Sequence, residues 1–193
     1  MPEPFPFTLQ PINDDEKFML AALREAWKAF QQGEVPVGAV IVIEGKIVAR
    51  GSNQVEMLND ATAHAEMLAI TSAAGALQNW RLQGAVLYCT LEPCSMCAGA
   101  AILSRVERIV WGAPDIRHGA NGSWLDLFKQ QHPIHQVKIE GGIYAAECGE
   151  LMRSFFKKRR EQNERCDGSV GRGAPSLEGA DRAPGESGFS DGA

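Results

Sequence analysis

Long apolar runs, export signals, paired cysteines and net positive charge are all missing from this 193-residue chain. Its longest strongly apolar stretch, Val35 to Ile43, is interrupted by Pro36 and Gly38 and falls far short of the roughly 20 residues of a membrane span. The opening MPEPFPFTLQPINDDEKF has neither the basic start nor the apolar stretch of a signal peptide. Five cysteines, an odd number without an export signal, argue against a disulfide framework and for a reducing compartment, so a cytoplasmic location is expected. The formal net charge of -5 gives no overall attraction to nucleic acid. What is present is ordinary for a globular protein, 45% hydrophobic and 22% charged, and the length suits one domain with one sizeable core.

The charge is unevenly placed. Residues 1–152 carry a balance of -6, the run RSFFKKRREQNER (153–165) carries +4, and the remainder carries -3. That remainder has seven Gly in 28 residues and Phe189 as its single aromatic, too little apolar area to offset its ordering entropy. The expected organisation is a flexible N-terminus (1–9), an ordered domain (10–163) and a disordered Gly-rich acidic tail (164–193).

Asn13 with Glu16 reads as a capping pair, and Phe18, Ala22, Leu23, Ala26, Trp27 and Phe30 follow at helical spacing until Gly33. VGAVIVI, the Glu44-Gly45 turn and KIVAR predict a hairpin. A buried helix is expected over 62–78, strands over 85–90 and 108–112, and a helix over 94–104. Further on, a short helix is expected near 124–130, a strand near 136–140, and a last helix from about Tyr144 to Gln162. The order predicts a mixed three-layer α/β sandwich.

Two short motifs carry chemistry. His64-Ala65-Glu66 opens the second long helix, and thirty residues after His64 comes Pro93-Cys94-Ser95-Met96-Cys97, opening the next. A helix N-terminus favours thiolate, and thiolates and imidazole are strong zinc ligands. His64, Cys94 and Cys97 make three ligands, and an open fourth position is the mark of a catalytic rather than a structural zinc site. Glu66 stands two residues past His64, placed to take a proton from bound water without ligating the metal. The pattern matches a known signature, H-x-E with P-C-x-x-C of the zinc-dependent deaminases, in which activated water attacks an amidine carbon and the Glu passes protons to departing ammonia. Two alternatives leave features unexplained. A thioredoxin-like C-x-x-C pair gives the upstream H-x-E no role. A closed structural site would need Cys89 as fourth ligand, and Cys89 falls inside a strand.

Longer stretches, EVPVGAVIV, ATAHAEMLAI, QNWRL, TLEPCSMCAGA, GAPDIRHGANGS and SFFKKRR, resemble the bacterial tRNA-specific adenosine deaminases of the cytidine/deoxycytidylate deaminase superfamily, from about Phe18 to Arg160. The resemblance implies a cytidine deaminase-like α/β/α sandwich with a five-stranded mixed sheet. It also implies one Zn2+ per subunit on His64, Cys94 and Cys97, Glu66 as proton shuttle, and a homodimer acting on the anticodon stem-loop of tRNA to make inosine at the wobble position. By the same resemblance Asn53 holds the flipped base, Asp115 meets a neighbouring nucleotide, and Phe155, Phe156 and Arg159 hold the anticodon loop. Aromatics interleaved with basic residues suit splayed RNA bases. Packing onto the sheet is the competing role for the two rings and is expected of at least one; a loop cap competes at Asp115 and a turn at Asn53. Ala61 and Pro114 depart from the family's usual Pro and basic residue, which bears on RNA recognition and leaves the zinc motifs untouched. The other readings of the chain are a free guanine or cytosine deaminase on the same fold, or a non-catalytic zinc-stabilised RNA-binding subunit.

Overall fold

The computed structural model describes residues 3–129 and 132–170. Helix α1 (Asp14–Gln31) begins where Asn13 Oδ1 accepts the Glu16 N–H at 2.9 Å, and Glu16 reaches back to accept the Ile12 N–H. It ends at Gly33, whose positive φ of 78° reverses the chain. The hairpin of β1 (Gly38–Ile43) and β2 (Lys46–Ser52) turns at Glu44 and Gly45, both with positive φ. There follow α2 (Val55–Leu58), α3 (Ala65–Leu77), β3 (Val86–Leu91), α4 (Ser95–Leu103), β4 (Arg108–Ala113), β5 (Lys138–Gly141) and α5 (Ala145–Val170).

The five strands form one sheet in the order β2-β1-β3-β4-β5, antiparallel from β2 to β3 and parallel from β3 to β5. Side chains alternate across it, as strand geometry requires. Ala39, Ile41, Leu87, Cys89 and Ile109 pack with Ala65, Ala69 and Ala101 of α3 and α4. Val40, Val42, Tyr88 and Val110 face the other way, onto Phe18, Ala22 and Leu23 of α1 and Leu151 of α5. This is the three-layer sandwich predicted from the order of elements. At Gly51 a Cβ would overlap the Ala65 carbonyl, so the missing side chain lets β2 run directly beneath the first turn of α3.

Three expectations are revised. No helix forms over 124–129; an Asn121–Asp126 bridge, Leu127 N–H to Ala120 O and Lys129 N–H to Asp126 Oδ1 hold that segment as an irregular loop. Helix α2 has no counterpart among the predicted elements. Helix α5 runs past Gln162 to Val170; the rest of the expected tail, 171–193, lies outside the described residues. Residues 3–9 form no helix or strand, yet Phe5, Phe7 and Leu9 pack against the α1 side of the core. The Glu3 carbonyl accepts N–H groups from Trp27 and Gln31.

Candidate active site

The site lies where α3 and α4 begin, beside the C-terminal ends of β3 and β4, the edge at which open α/β sheets bind ligands. His64 is the N-cap of α3 and Cys94 the N-cap of α4, while Cys97 is buried within the first turn of α4. Both sulfurs lie 3.6 Å from His64 Nδ1, and the three ligand atoms all fall within 4.8 Å of one another. Zinc bonds to N and S, meeting at a tetrahedral angle, put those atoms about 3.6 Å apart. The donor set therefore fits zinc in both chemistry and spacing.

The electrostatics agree with a metal-ready centre. Cys97 donates its S–H to Cys94 and holds that thiol down to about 4, with His64 adding to the effect. The same hydrogen bond, together with burial, pushes Cys97 upward, because its ionisation would set two thiolates side by side. His64 is raised chiefly by its hydrogen bond with Cys94. Two helix N-termini point at the cluster and favour its negative charge.

Glu66, on the first turn of α3, is 3% exposed. Its Oε2 is a buried polar atom without a hydrogen-bond partner, an uncommon and costly condition in a folded protein. Burial pushes its carboxyl up to about 6, against the opposing pull of its own N–H and of His64. A carboxyl in that range can both take and return a proton near neutral pH.

The other predicted residues separate. Asn53, at the end of β2, is buried and sits next to the turn into His64, since Gln54 N–H donates to Ala63 O at 3.1 Å. Its Nδ2 donates to Glu34 Oε2 at 3.3 Å, and a carboxylate can only accept, so the orientation of the amide is fixed. Asp115 Oδ1 accepts from Arg117 N–H and His118 N–H, the loop-cap role, while its charge still reaches His64. Phe155 is 5% exposed and packs edge-on against Phe30 at 5.7 Å, which removes it from any RNA-stacking surface of this chain. The helix period puts one of two adjacent residues inward. Phe156, 40% exposed, is the ring left at the surface, and the Arg159 guanidinium lies 5.8 Å from the Phe155 ring.

Two buried carboxylates escaped the sequence reading. Glu34, 1% exposed, accepts from Asn53, from Glu56 N–H and from Met57 N–H at 2.7 Å. Glu92 is equally buried, just before Pro93-Cys94. The available signal was an acidic residue set against an apolar strand or strand approach: Glu34 before Val35-Pro36-Val37, and Glu92 after Leu91.

The model of the cytidine and deoxycytidylate deaminase zinc-binding region matches residues 12–113, which include all three candidate ligands and Glu66. The tRNA-specific adenosine deaminase of Bacillus subtilis (strain 168) is 46% identical over 153 residues, 79% of this chain and 95% of that protein. The chain belongs to the cytidine and deoxycytidylate deaminase family, with the tRNA-specific adenosine deaminases. A solved structure from a study of A-to-I editing by tRNA:A34 deaminases at the wobble position of transfer RNA is 44% identical. It superposes with a TM-score of 0.67 over 70% of this chain and 98% of that one. A guanine deaminase from Nitrosomonas europaea shares the family's fold at 23% identity and a TM-score of 0.65, over 77% of this chain and 86% of that one.

Proposed function

We propose that this protein is a hydrolytic deaminase that converts adenosine to inosine at the wobble position of a tRNA anticodon. The observation that carries the chemistry is Glu66 Oε2, buried and unpartnered beside three convergent zinc donors. The tRNA substrate rests on the similarity to tRNA-specific adenosine deaminases across most of the chain.

His64, Cys94 and Cys97 would hold a zinc ion, whose chemistry there would be to acidify a water for attack. Glu66 accepts the water's proton at Oε2 and delivers it to the amino group leaving C6 of adenine, so that water and adenosine give inosine and ammonia. Burial of the carboxyl keeps bulk water away from the transfer. Asn53, held by Glu34, offers its Oδ1 and one remaining N–H to the flipped nucleoside. Phe156, Arg159 and the neighbouring Lys157 and Lys158 receive the anticodon stem-loop through stacking and phosphate contacts.

The reading includes a homodimer, which brings two basic α5 segments to one tRNA, and a cytoplasmic location alongside the substrate. No helix among the described residues is long and apolar enough to cross a membrane. The test is inosine formation on a synthetic anticodon stem-loop with adenosine at the wobble position, using zinc-loaded protein. Inosine at that position alone is expected. An unchanged RNA together with deamination of free guanine or cytosine by the same preparation would overturn the assignment.

A further inference from the structure

Glu92 is used by neither the metal nor the proton transfer, yet it is as buried as any core residue. Its Oε1 accepts from Asn121 N–H at 2.8 Å and Ser123 N–H at 3.3 Å. Its Oε2 accepts from Asp115 N–H at 3.1 Å and from the Ser123 hydroxyl. All four donors belong to the loop that follows β4. None belongs to the β3–α4 turn on which Glu92 itself sits.

Outside Glu92 the loop has one further side-chain anchor from the sheet, Trp111 Nε1 donating to Asn121 Oδ1 at 3.0 Å, and one buried apolar residue, Ala120. Ile116 is 80% exposed and Trp124 58% exposed, so apolar packing does not fix their stretches of chain. Besides turn hydrogen bonds within the loop, its main chain is tied to the turn beside Glu92: Ala120 N–H to Pro93 O at 2.9 Å, and a β-bridge between Gly119 and Cys94. At Gly119 a Cβ would fall inside the Glu92 carboxyl group, so the loop is wrapped on this carboxylate as tightly as backbone permits. Glu92 N–H in turn donates to Ala113 O, tying its main chain to the end of β4.

We infer that Glu92 is a positioning residue for the reaction: its buried carboxylate docks the 115–123 loop onto the turn that carries Cys94, so that the substrate-facing loop and the metal turn keep one fixed relation. A carboxylate suits this task because it presents two acceptor oxygens, enough for four donors, where an amide offers one oxygen and sets an NH2 group against N–H donors. The loop tip, Ile116, Arg117 and His118, is exposed, apolar and basic, the character that meets an unstacked RNA base and its phosphate. Loosening the tip raises KM for RNA before it affects the proton transfer at Glu66. The choice of RNA as substrate rests on the function proposed above; the docking role does not.

The experiment compares wild type, Glu92→Gln and Ser123→Ala as full-length zinc-loaded protein. It measures amide hydrogen exchange over 115–123, zinc content, and KM and kcat on the anticodon stem-loop. For Glu92→Gln, exchange over 115–123 is expected to rise by about tenfold or more, with KM rising by about tenfold, zinc retained and kcat little changed. Ser123→Ala, a change at an exposed residue, is expected to move exchange and KM in the same direction by a smaller factor, about threefold. Unaltered exchange in both variants overturns the proposal, as does loss of zinc and kcat at constant KM, which would confine Glu92 to the metal turn. Should Glu92→Gln fail to fold, Ser123→Ala decides alone, and its unaltered exchange and KM overturn the proposal. Should wild type form no inosine, the functional assignment falls while the exchange measurement still decides whether Glu92 docks the loop.

Discussion

Asn53 hands an amide N–H to Glu34 Oε2 at 3.3 Å, and the same buried carboxylate collects the Glu56 and Met57 N–H groups. A candidate base-contacting amide and the short helix α2 are thereby fixed by one side chain that touches no reacting atom. Glu34→Ala strands the buried Asn53 amide, worth about 1–3 kcal/mol without a partner, and frees the part-buried Glu56 and Met57 N–H groups, which can turn to water at smaller cost. The expected outcome is a stability loss on the order of 2–4 kcal/mol in urea unfolding. KM for the stem-loop should rise with zinc content unchanged. Glu34→Gln, which keeps one acceptor oxygen but sets an NH2 group against a donor at the other, should recover only part of both.

Asp15 and Arg108 give a pH dependence with a definite sign. Arg108 Nη1 and Nη2 meet the two Asp15 oxygens at 2.8 and 2.7 Å, tying α1 to β4, and Tyr88 donates to the same carboxylate. The Arg108 hydrogen bonds hold the Asp15 carboxyl below its ordinary value, against the effect of burial. The unfolded chain therefore binds the proton first as pH falls. The pair's contribution is complete above the ordinary carboxylate range and is lost as pH drops through and below it. Urea unfolding should show Asp15→Asn less stable than wild type by about 1–3 kcal/mol at pH 7, with the gap closing below about pH 4. A gap that stays constant to about pH 3 would remove this carboxylate from the acid sensitivity of the fold.

Glu66→Ala separates metal binding from turnover. The three ligands keep their positions on α3 and α4, so zinc near one per subunit is expected by metal analysis, with stem-loop binding retained. Loss of the proton carrier should lower kcat by about 10²–10⁴-fold. Removing a buried carboxyl that has no hydrogen-bond partner at Oε2 should leave stability unchanged or raised. Full activity in the variant would overturn the mechanism.

Zinc removal tests the other half of the site. A chelator strong enough to strip the metal should abolish inosine formation and lower the melting temperature, because a ligand that binds only the folded state stabilises it by mass action. Both should return on adding zinc. Cys97→Ser, which replaces a thiolate by a hydroxyl at the buried ligand, should lose metal and activity together. A zinc-free preparation with undiminished turnover would contradict the reading of His64, Cys94 and Cys97 as the metal centre.

The parts of this protein visible in its sequence are those with a local pattern. The short apolar runs of β1 and β3 bounded by turn residues, the Glu44-Gly45 turn and the helical period of α1 are set by neighbours along the chain, and so is the coupling of a metal ligand to a helix start. Neither the four-residue α2 nor the loop over 124–129 has a period to read: α2 is held by the distant Glu34, and the loop by short-range turn and bridge contacts that leave no repeating pattern. Glu34 and Glu92 were missed for a related reason. The donors they collect lie 19 to 31 residues further along the chain, so nothing beside either carboxylate announces its partners. The pair Phe155-Phe156 sits between the two cases: the sequence shows an aromatic pair beside basic residues, and only packing against Phe30 of α1 decides which ring turns inward.

That division between the rings gives opposite expectations for two adjacent alanine substitutions. Phe155 is enclosed by Phe30 and Phe156, so Phe155→Ala opens a cavity and should cost about 3–5 kcal/mol by urea unfolding. Phe156 keeps 40% of its surface in solvent, and Phe156→Ala should cost no more than about 1–2 kcal/mol. If the exposed ring stacks on an anticodon-loop base, its loss should weaken stem-loop binding by about 1–3 kcal/mol, roughly 5- to 150-fold in KM, with zinc retained. Equal stability losses in the two variants would contradict the packing, and an unchanged KM for Phe156→Ala would take the end of α5 out of the RNA-binding surface.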